Sequence, residues 1–284
     1  MVIMLCAKVK WQMNLVLPKK QTGVWNGSNK TMGDSFMDIW IGIIGLSLGS
    51  FLNTCIYRIP RHQSIIWPRS YCTSCGRQIR SIDLVPFFSW IFLHGHCYYC
   101  RAPISCRYAV IEVLTSLTSV IVYKNENGSA AFFAGILLIG FLISIAFIDY
   151  DWHLIFDKVL LSFAFCGGIV QMFLGQTSYL NMFLGFLTGG GCLLLFMILS
   201  HGGMGGGDVK FAAVLGIWFG WQDILLILWI AFVLGGLVGI LLLATGKKTR
   251  KDFVPFGPFL AFAAFFIYLY GNIILSVYQA IAYG

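Results

Sequence analysis

The sequence predicts an all-α polytopic membrane protein: a bundle of about eight transmembrane helices with one small cytosolic zinc-binding insert. Three observations carry this expectation. The chain is 58% hydrophobic and only 11% charged, more apolar than the interior of a soluble domain can absorb. Its apolar residues fall in runs of about twenty, the length at which a helix crosses a bilayer. One stretch, 58–107, interrupts these runs with seven arginines and two cysteine pairs, and is too polar to span.

Residues 1–36 form a polar N-terminal extension carrying Lys8, Lys10, Lys19, Lys20 and Lys30. No clean apolar core follows these charges, so they do not form a signal peptide. The segment reads either as a disordered tail or as sequence upstream of a start at Met32 or Met37. Asn26-Gly27-Ser28 and Asn29-Lys30-Thr31 match a glycosylation acceptor, a pattern short enough to arise by chance. The first transmembrane helix lies within 37–57, the insert occupies 58–107, and 108–284 form the rest of the bundle. Within that last part, spans are expected near 108–123, 130–148, 158–175, 179–199, 209–221, 224–245 and 255–281, the sixth span overall being short.

Charge sets the orientation. Arg58, Arg61, Arg69, Arg77, Arg80, Arg101 and Arg107 follow the first span, and Lys247, Lys248, Arg250 and Lys251 follow the seventh. Eight spans put both groups on one face, and the positive-inside rule makes that face cytosolic. The opposite face offers little beyond Lys124, and the five N-terminal lysines oppose the assignment if that tail is made. In such a protein the excess of 19 basic over 11 acidic residues points to orientation and anionic membrane lipid rather than to nucleic acid.

The stretch Gly202-Gly203-Met204-Gly205-Gly206-Gly207-Asp208-Val209-Lys210 lies between two long apolar runs and ends in a carboxylate. An aspartate at a membrane edge is costly without a partner or a task. Asp149 ends the third span, and two spans separate it from Asp208, so a helical hairpin returns both carboxyls to one edge. A pair of this kind can hydrolyse a peptide. One carboxylate draws a proton from a shared water while its protonated neighbour donates to the scissile carbonyl. Gly205 and Gly207 would leave room for an extended substrate backbone. Lys210 is read either as an interfacial snorkelling lysine or as a tuner of Asp208. Asp157 is expected to cap the fourth span, and Asp151 has no assignment. The structural alternative makes Asp208 a helix cap and Asp149 a solvated helix end.

Cys72-Thr73-Ser74-Cys75 and Cys97-Tyr98-Tyr99-Cys100 form two CxxC pairs with 21 residues between them. Two knuckles of two thiolates complete a tetrahedron around a structural zinc ion. Redox-active thiols are the alternative. His94 and His96 read as solvated loop residues, and Cys6, Cys55, Cys106, Cys166 and Cys192 as small apolar packers.

The glycine–aspartate stretch resembles the GxGD motif of type IV prepilin peptidases, the bifunctional leader peptidase/N-methyltransferases. Gly49-Ser50-Phe51-Leu52-Asn53 with Ile56-Tyr57-Arg58-Ile59-Pro60 is similar to that family's first-span signature. The two CxxC pairs match its cytosolic zinc insert. Pro103-Ile104-Ser105-Cys106-Arg107-Tyr108 with Glu112 resembles its return to the membrane. Ile148-Asp149-Tyr150-Asp151 with Ile155-Phe156-Asp157 resembles its first catalytic segment, and Pro255-Phe256-Gly257-Pro258-Phe259 its last. Phe156 and Ala109 stand where the family usually has proline. The likeness covers about 38–270 and maps the catalytic aspartates onto Asp149 and Asp208. It implies cleavage of prepilin or pseudopilin precursors after a leader glycine, at the cytosolic face of the bacterial inner membrane. It also implies N-methylation of the new terminus from S-adenosylmethionine, for which no residue here marks a binding site.

Two readings compete. An acid-coupled transporter would place its carboxylates near the bilayer midplane, whereas Asp149 and Asp208 lie at span ends. A zinc-containing membrane assembly factor would need neither the glycine run nor a second aspartate.

Overall fold

In the computed structural model, residues 32–126, 129–175, 177–200, 204–246 and 254–283 are described. The N-terminal lysines, both glycosylation-like tripeptides, Cys6, Gly202, Gly203 and the basic residues 247–251 lie outside them. The described chain is helical: α1 (Met32–Arg58), α2 (Phe88–Phe92), α3 (Arg107–Asn125), α4 (Ser129–Trp152), α5 (Asp157–Leu174), α6 (Tyr179–Leu199), α7 (Gly206–Ala244) and α8 (Gly257–Tyr283). Helix is the form in which an apolar run satisfies its own backbone polar groups inside lipid. Five helices are long and apolar enough to cross a membrane: Ser35–Arg61, Ala130–Trp152, Asp157–Leu174, Tyr179–Leu199 and Gly206–Ala244. The long helix α3 has the length but carries Arg107, Glu112 and Lys124.

The helix α7 is two arms. Gly220 adopts φ 80°, ψ 177° inside it, a conformation essentially confined to glycine. Neighbours across α6 show that the chain doubles back there. In the first arm Gly216 lies against Gly185, and Ala212 against Gly189, so numbering falls as α6 rises and the arm is antiparallel to it. In the second arm Ile224 lies against Gly189 and Phe232 against Phe196, so it runs parallel to α6. The predicted sixth and seventh spans are these arms, and the sixth is short, at about 20 Å of helix.

Small residues let the helices approach closely. A Cβ on Gly45 would meet Ser116 Cα at 2.7 Å, and one on Gly49 would meet Glu112 Cα at 2.6 Å. These contacts clamp α1 antiparallel to α3. Asp38 Oδ2 and Lys124 Nζ close the far end of the pair at 2.9 Å, so Lys124 is paired. At the other end the Asn53 amide donates to Tyr108 O. There Arg107 at the start of α3 pairs with Asp151 at the end of α4, which gives Asp151 its role.

One core joins Phe163, Phe211, Leu215, Trp218, Ile224 and Leu260 from α5, α7 and α8, and a smaller one joins Ile56, Ile111, Ile139 and Ile148. Phe156 packs against both. Where the family usually has proline, this ring fills the junction, and its backbone is extended (φ −80°, ψ 126°) as the residue preceding α5. Phe156, not Asp157, is thus the N-cap position of α5, and Asp157 is its first helical residue. Among the isolated cysteines Cys55 is buried and Cys166 half-buried, but Cys106 and Cys192 are exposed.

Candidate active site and cysteine cluster

Asp149 and Asp208 arrive from different helices. Asp149 lies in the last turn of α4, whose end is set by His153 in the left-handed region (φ 52°) donating its N–H to the Asp149 carbonyl at 2.8 Å. Asp208 lies in the first turn of α7, where Gly205 is the capping position and the Asp208 N–H donates to Gly205 O at 3.1 Å. The glycine, not the aspartate, caps this helix. Both carboxylates are 4% exposed and close enough for their charges to interact. Neither is a solvated helix end.

Each carboxyl lies against a glycine. Gly257 donates its N–H to Asp149 Oδ2 at 3.0 Å, and a Cβ there would come within 2.6 Å of the same oxygen. A Cβ on Gly205 would lie 3.3 Å from Asp208 Oδ2, while Asp208 Oδ1 is buried with no hydrogen-bond partner. The glycines of the run divide their tasks. Buried Met204 anchors the run in the core, Gly205 admits the carboxylate, and Gly206 faces open space. Gly207 packs on Ile155, whose Cβ is 3.0 Å from where its own would be. Packing, rather than room for a substrate, explains that position.

Lys210 points elsewhere. Its Nζ contacts Asp157 Oδ1 at 2.7 Å on an exposed surface, joining the starts of α5 and α7. Gly257 is a site residue to which its place in the Pro255–Phe259 segment assigns no role. A lone glycine between Pro255 and Pro258 was the available signal, since prolines fix the chain on either side of a position needing close approach.

The insert is held by two matching knuckles. Cys72 N–H donates to Arg77 O and Gly76 N–H to Cys72 O. Twenty-five positions later Cys97 N–H donates to Ala102 O and Arg101 N–H to Cys97 O. The fifth residue of each, Gly76 (φ 70°) and Arg101 (φ 57°), is left-handed. The four sulfurs lie within 4.8 Å of one another, with Cys72 Sγ and Cys100 Sγ 3.8 Å apart. Tetrahedral metal–sulfur bonds of about 2.3 Å require sulfurs about 3.8 Å apart, so the cluster fits a metal ion. Burial pushes the Cys72 thiol up, but hydrogen bonds from Cys75 and Ser74 outweigh it and bring it down to about 6, while contacts with the other three cysteines push Cys100 up to about 11, so the four thiols share their protons as one cluster. His94 and His96 are exposed and are not among the four ligating groups.

The arginines of the insert are largely engaged within it. Arg58 is 5% exposed and donates to the carbonyls of Ser64, Ile65 and Pro68. Arg80 forks onto Asp83 and lies over the Tyr98 ring, Arg77 faces Tyr99, and Arg61 stacks on Tyr57.

Two family models match the chain in tandem. The Bacterial Peptidase A24 N-terminal domain covers residues 43–125, and the Type IV leader peptidase family covers 136–240. A prepilin leader peptidase/N-methyltransferase of Aeromonas hydrophila is 31% identical over 267 residues, which is 83% of this chain and 91% of the relative. The chain belongs to the type IV leader peptidase family. This membrane enzyme is also 33% identical to the protein of that description from Bacillus subtilis (strain 168), over 85% of the chain and 98% of the relative. The Legionella pneumophila relative is 28% identical over 86% and 94%. No solved structure matches it. The enzyme is a peptidase by family and an integral membrane protein by its apolar helices.

Proposed function

We propose that this enzyme cleaves type IV prepilin or pseudopilin precursors with Asp149 and Asp208 as its catalytic pair. The observation that carries the reading is two buried carboxylates from separate helices brought to one edge of the bundle, with Asp208 Oδ1 left unpartnered. Two close carboxylates cannot both ionise readily. One proton shared between them, with a water, supplies the base that activates the water and the acid that polarises the peptide carbonyl. Gly257 N–H fixes Asp149 for that work, and Gly205 lets Asp208 approach. Lys210, through Asp157, steadies the turn that carries Asp208.

The substrates follow from the names of the relatives. A precursor's apolar helix lies along the bundle, with its basic leader crossing the edge where the aspartates sit and the cut falling after the leader glycine. That edge is read as the cytosolic face of the bacterial inner membrane, and the unit 58–107 as a zinc-stapled insert on it. The exposed arginines Arg69 and Arg101 are the ones free to meet anionic lipid headgroups. The same names pair cleavage with N-methylation, and we extend both activities to this chain with S-adenosylmethionine as methyl donor.

Co-expression with a candidate prepilin, followed by mass spectrometry of the new N-terminus, tests both activities. The expected product begins after the leader glycine and carries one methyl group. An intact leader alongside folded enzyme would refute the peptidase reading, and a cut but unmethylated product would refute the transferase part alone.

A further inference from the structure

An apolar groove of about 770 Å3 runs between α1, α4 and α5 and contains neither Asp149 nor Asp208. Leu52, Phe133, Leu137 and Phe141 wall it. Gly140 keeps its floor open. A Cβ there would touch only Leu52 Cδ2, at 3.8 Å, unlike the glycines of α1 that clamp α3. The basic and amide side chains of the lining, His62, Gln63 and Lys158, gather at one end. That end is the edge of the bundle where α1 and α4 stop and α5 starts. Lys158 is exposed. Among the described residues its ammonium meets no carboxylate, the neighbouring Asp157 being paired with Lys210. The donors of Arg58 draw the loop 64–68 back beside the end of α1, which sets Ile65 into the same end of the groove. Two positions on, Trp67 is 68% exposed, as suits an indole at the level of lipid headgroups.

Length and charge together name the occupant. On α4 the lining runs from Phe133 to Ser144, about 17 Å of helix. One leaflet of hydrocarbon is about 15 Å deep, half of the bilayer core. A helix crossing the whole membrane would need a groove about twice as long. A single acyl chain fits that length, and the basic end fits a negative headgroup. We propose that this groove binds one anionic phospholipid from the leaflet at the aspartate edge. Its acyl chain lies against Leu52, Leu137 and Phe141, and its phosphate accepts hydrogen bonds from Lys158 Nζ and the Gln63 amide. The ammonium and the amide are donors at the mouth of an apolar slot, which is the arrangement that holds a lipid by head and tail at once. The bound chain then fills the space that the side chains of α1 and α5 leave beside Gly140.

The test is native mass spectrometry of the full chain, released from detergent micelles doped with dioleoyl phosphatidylglycerol or with dioleoyl phosphatidylcholine. The parent should retain one phosphatidylglycerol per chain, about fivefold better than phosphatidylcholine, and Lys158→Ala should erase that preference, the effect of one basic residue at an anionic headgroup. Ser162→Trp, which fills the groove from an exposed position on α5, should abolish retention of both lipids. Gly140→Leu fills it from α4 and keeps the test decisive if Ser162→Trp does not fold. Arg69→Ala removes an exposed basic side chain outside the groove and should change nothing. Equal retention of the two lipids by the parent, or an equal loss in Arg69→Ala and Lys158→Ala, would overturn the site, because the binding would then be diffuse surface attraction. Loss of cleavage by folded Ser162→Trp in lipid-free detergent, on a prepilin that the parent cuts there, would also overturn it by giving the groove to the precursor's helix. The lipid measurement needs no cleavage, so it stands or falls apart from the peptidase reading.

Discussion

Gly257 donates its backbone N–H to Oδ2 of Asp149 at 3.0 Å, across 108 residues of chain. This bond is what a side chain at position 257 would break. An alanine Cβ would lie 2.6 Å from that oxygen and 3.1 Å from the carboxyl carbon, so the carboxyl must rotate away. The first turn of α8 tolerates alanine by backbone conformation. Gly257→Ala should therefore fold and lose about 100-fold or more in prepilin cleavage, the scale set by misplacing a reacting group by an ångström. Thermal melting beside a cleavage time course measures both, and a fully active variant would show that Asp149 needs no such placement.

Asp149 and Asp208 form a unit only if neither works alone. Asp208→Asn and Asp149→Asn should each reduce cleavage by about 10³-fold or more, and the double variant should be no slower than the worse single one. Multiplying losses in the double variant would mean two independent roles and would sink the shared-water mechanism.

The cysteine cluster predicts metal dependence confined to one part of the molecule. Cys75→Ser, or chelation, should release one zinc ion per chain and open 62–105 to proteases, because the two knuckles are otherwise held by few backbone bonds. Cleavage should fall by less than about tenfold, since Asp149 and Asp208 stand on α4 and α7 and couple weakly to a remote insert. Metal analysis with limited proteolysis reports the first effect and a prepilin assay the second.

The same logic marks what the sequence could convey. Apolar runs placed the long helices and the break within α7, because run length is written locally, whereas Gly220, where the chain turns back, is one glycine among many and carries no local mark of it. The cysteine knuckles were legible for a similar reason, since two CxxC pairs bring their own geometry. What stayed hidden depends on contacts between distant residues. Gly207 gave no sign that it packs on Ile155, nor Lys210 that it reaches Asp157. Arg58 looked like a surface charge, yet it is buried and satisfied by three carbonyls. A basic side chain with its donors spent inside cannot be told from an exposed one by composition. Leu137 and Lys158 fell within expected spans, but the groove they line needs α1, α4 and α5 brought together.

Packing between α6 and α7 should be among the least tolerant features. A Cβ on Gly185 would meet Gly216 O at 2.2 Å, and one on Gly216 would meet Gly185 O at 2.0 Å. Backbone atoms cannot swing aside as side chains do, so Gly185→Ala or Gly216→Ala must push the helices apart. Each should cost about 1–3 kcal/mol or more, the range for overpacked cores, read as a lower melting temperature in detergent. Gly191, with nothing within 4 Å of its would-be Cβ, is the internal control. Gly191→Ala should melt at or slightly above the parent, since alanine is the better helix former, and equal losses at all three positions would mean that the Gly185–Gly216 contact does not set the cost.

Lys210 separates a residue beside a site from one within it. It lies two positions beyond Asp208, which alone would suggest that it sets the charge on that carboxyl. Its Nζ instead meets Asp157, and the two side chains are 58% and 64% exposed. An exposed ion pair contributes at most about 1 kcal/mol and is screened by salt. Lys210→Ala should thus lower stability by no more than that and change cleavage by less than about threefold, as should Asp157→Asn, because both remove the same contact. A direct role for the ammonium at Asp208 predicts something different: a shift in the pH profile of cleavage in Lys210→Ala that Asp157→Asn does not reproduce. Comparing the two profiles at low and high salt distinguishes a strut between α5 and α7 from a participant in proton transfer.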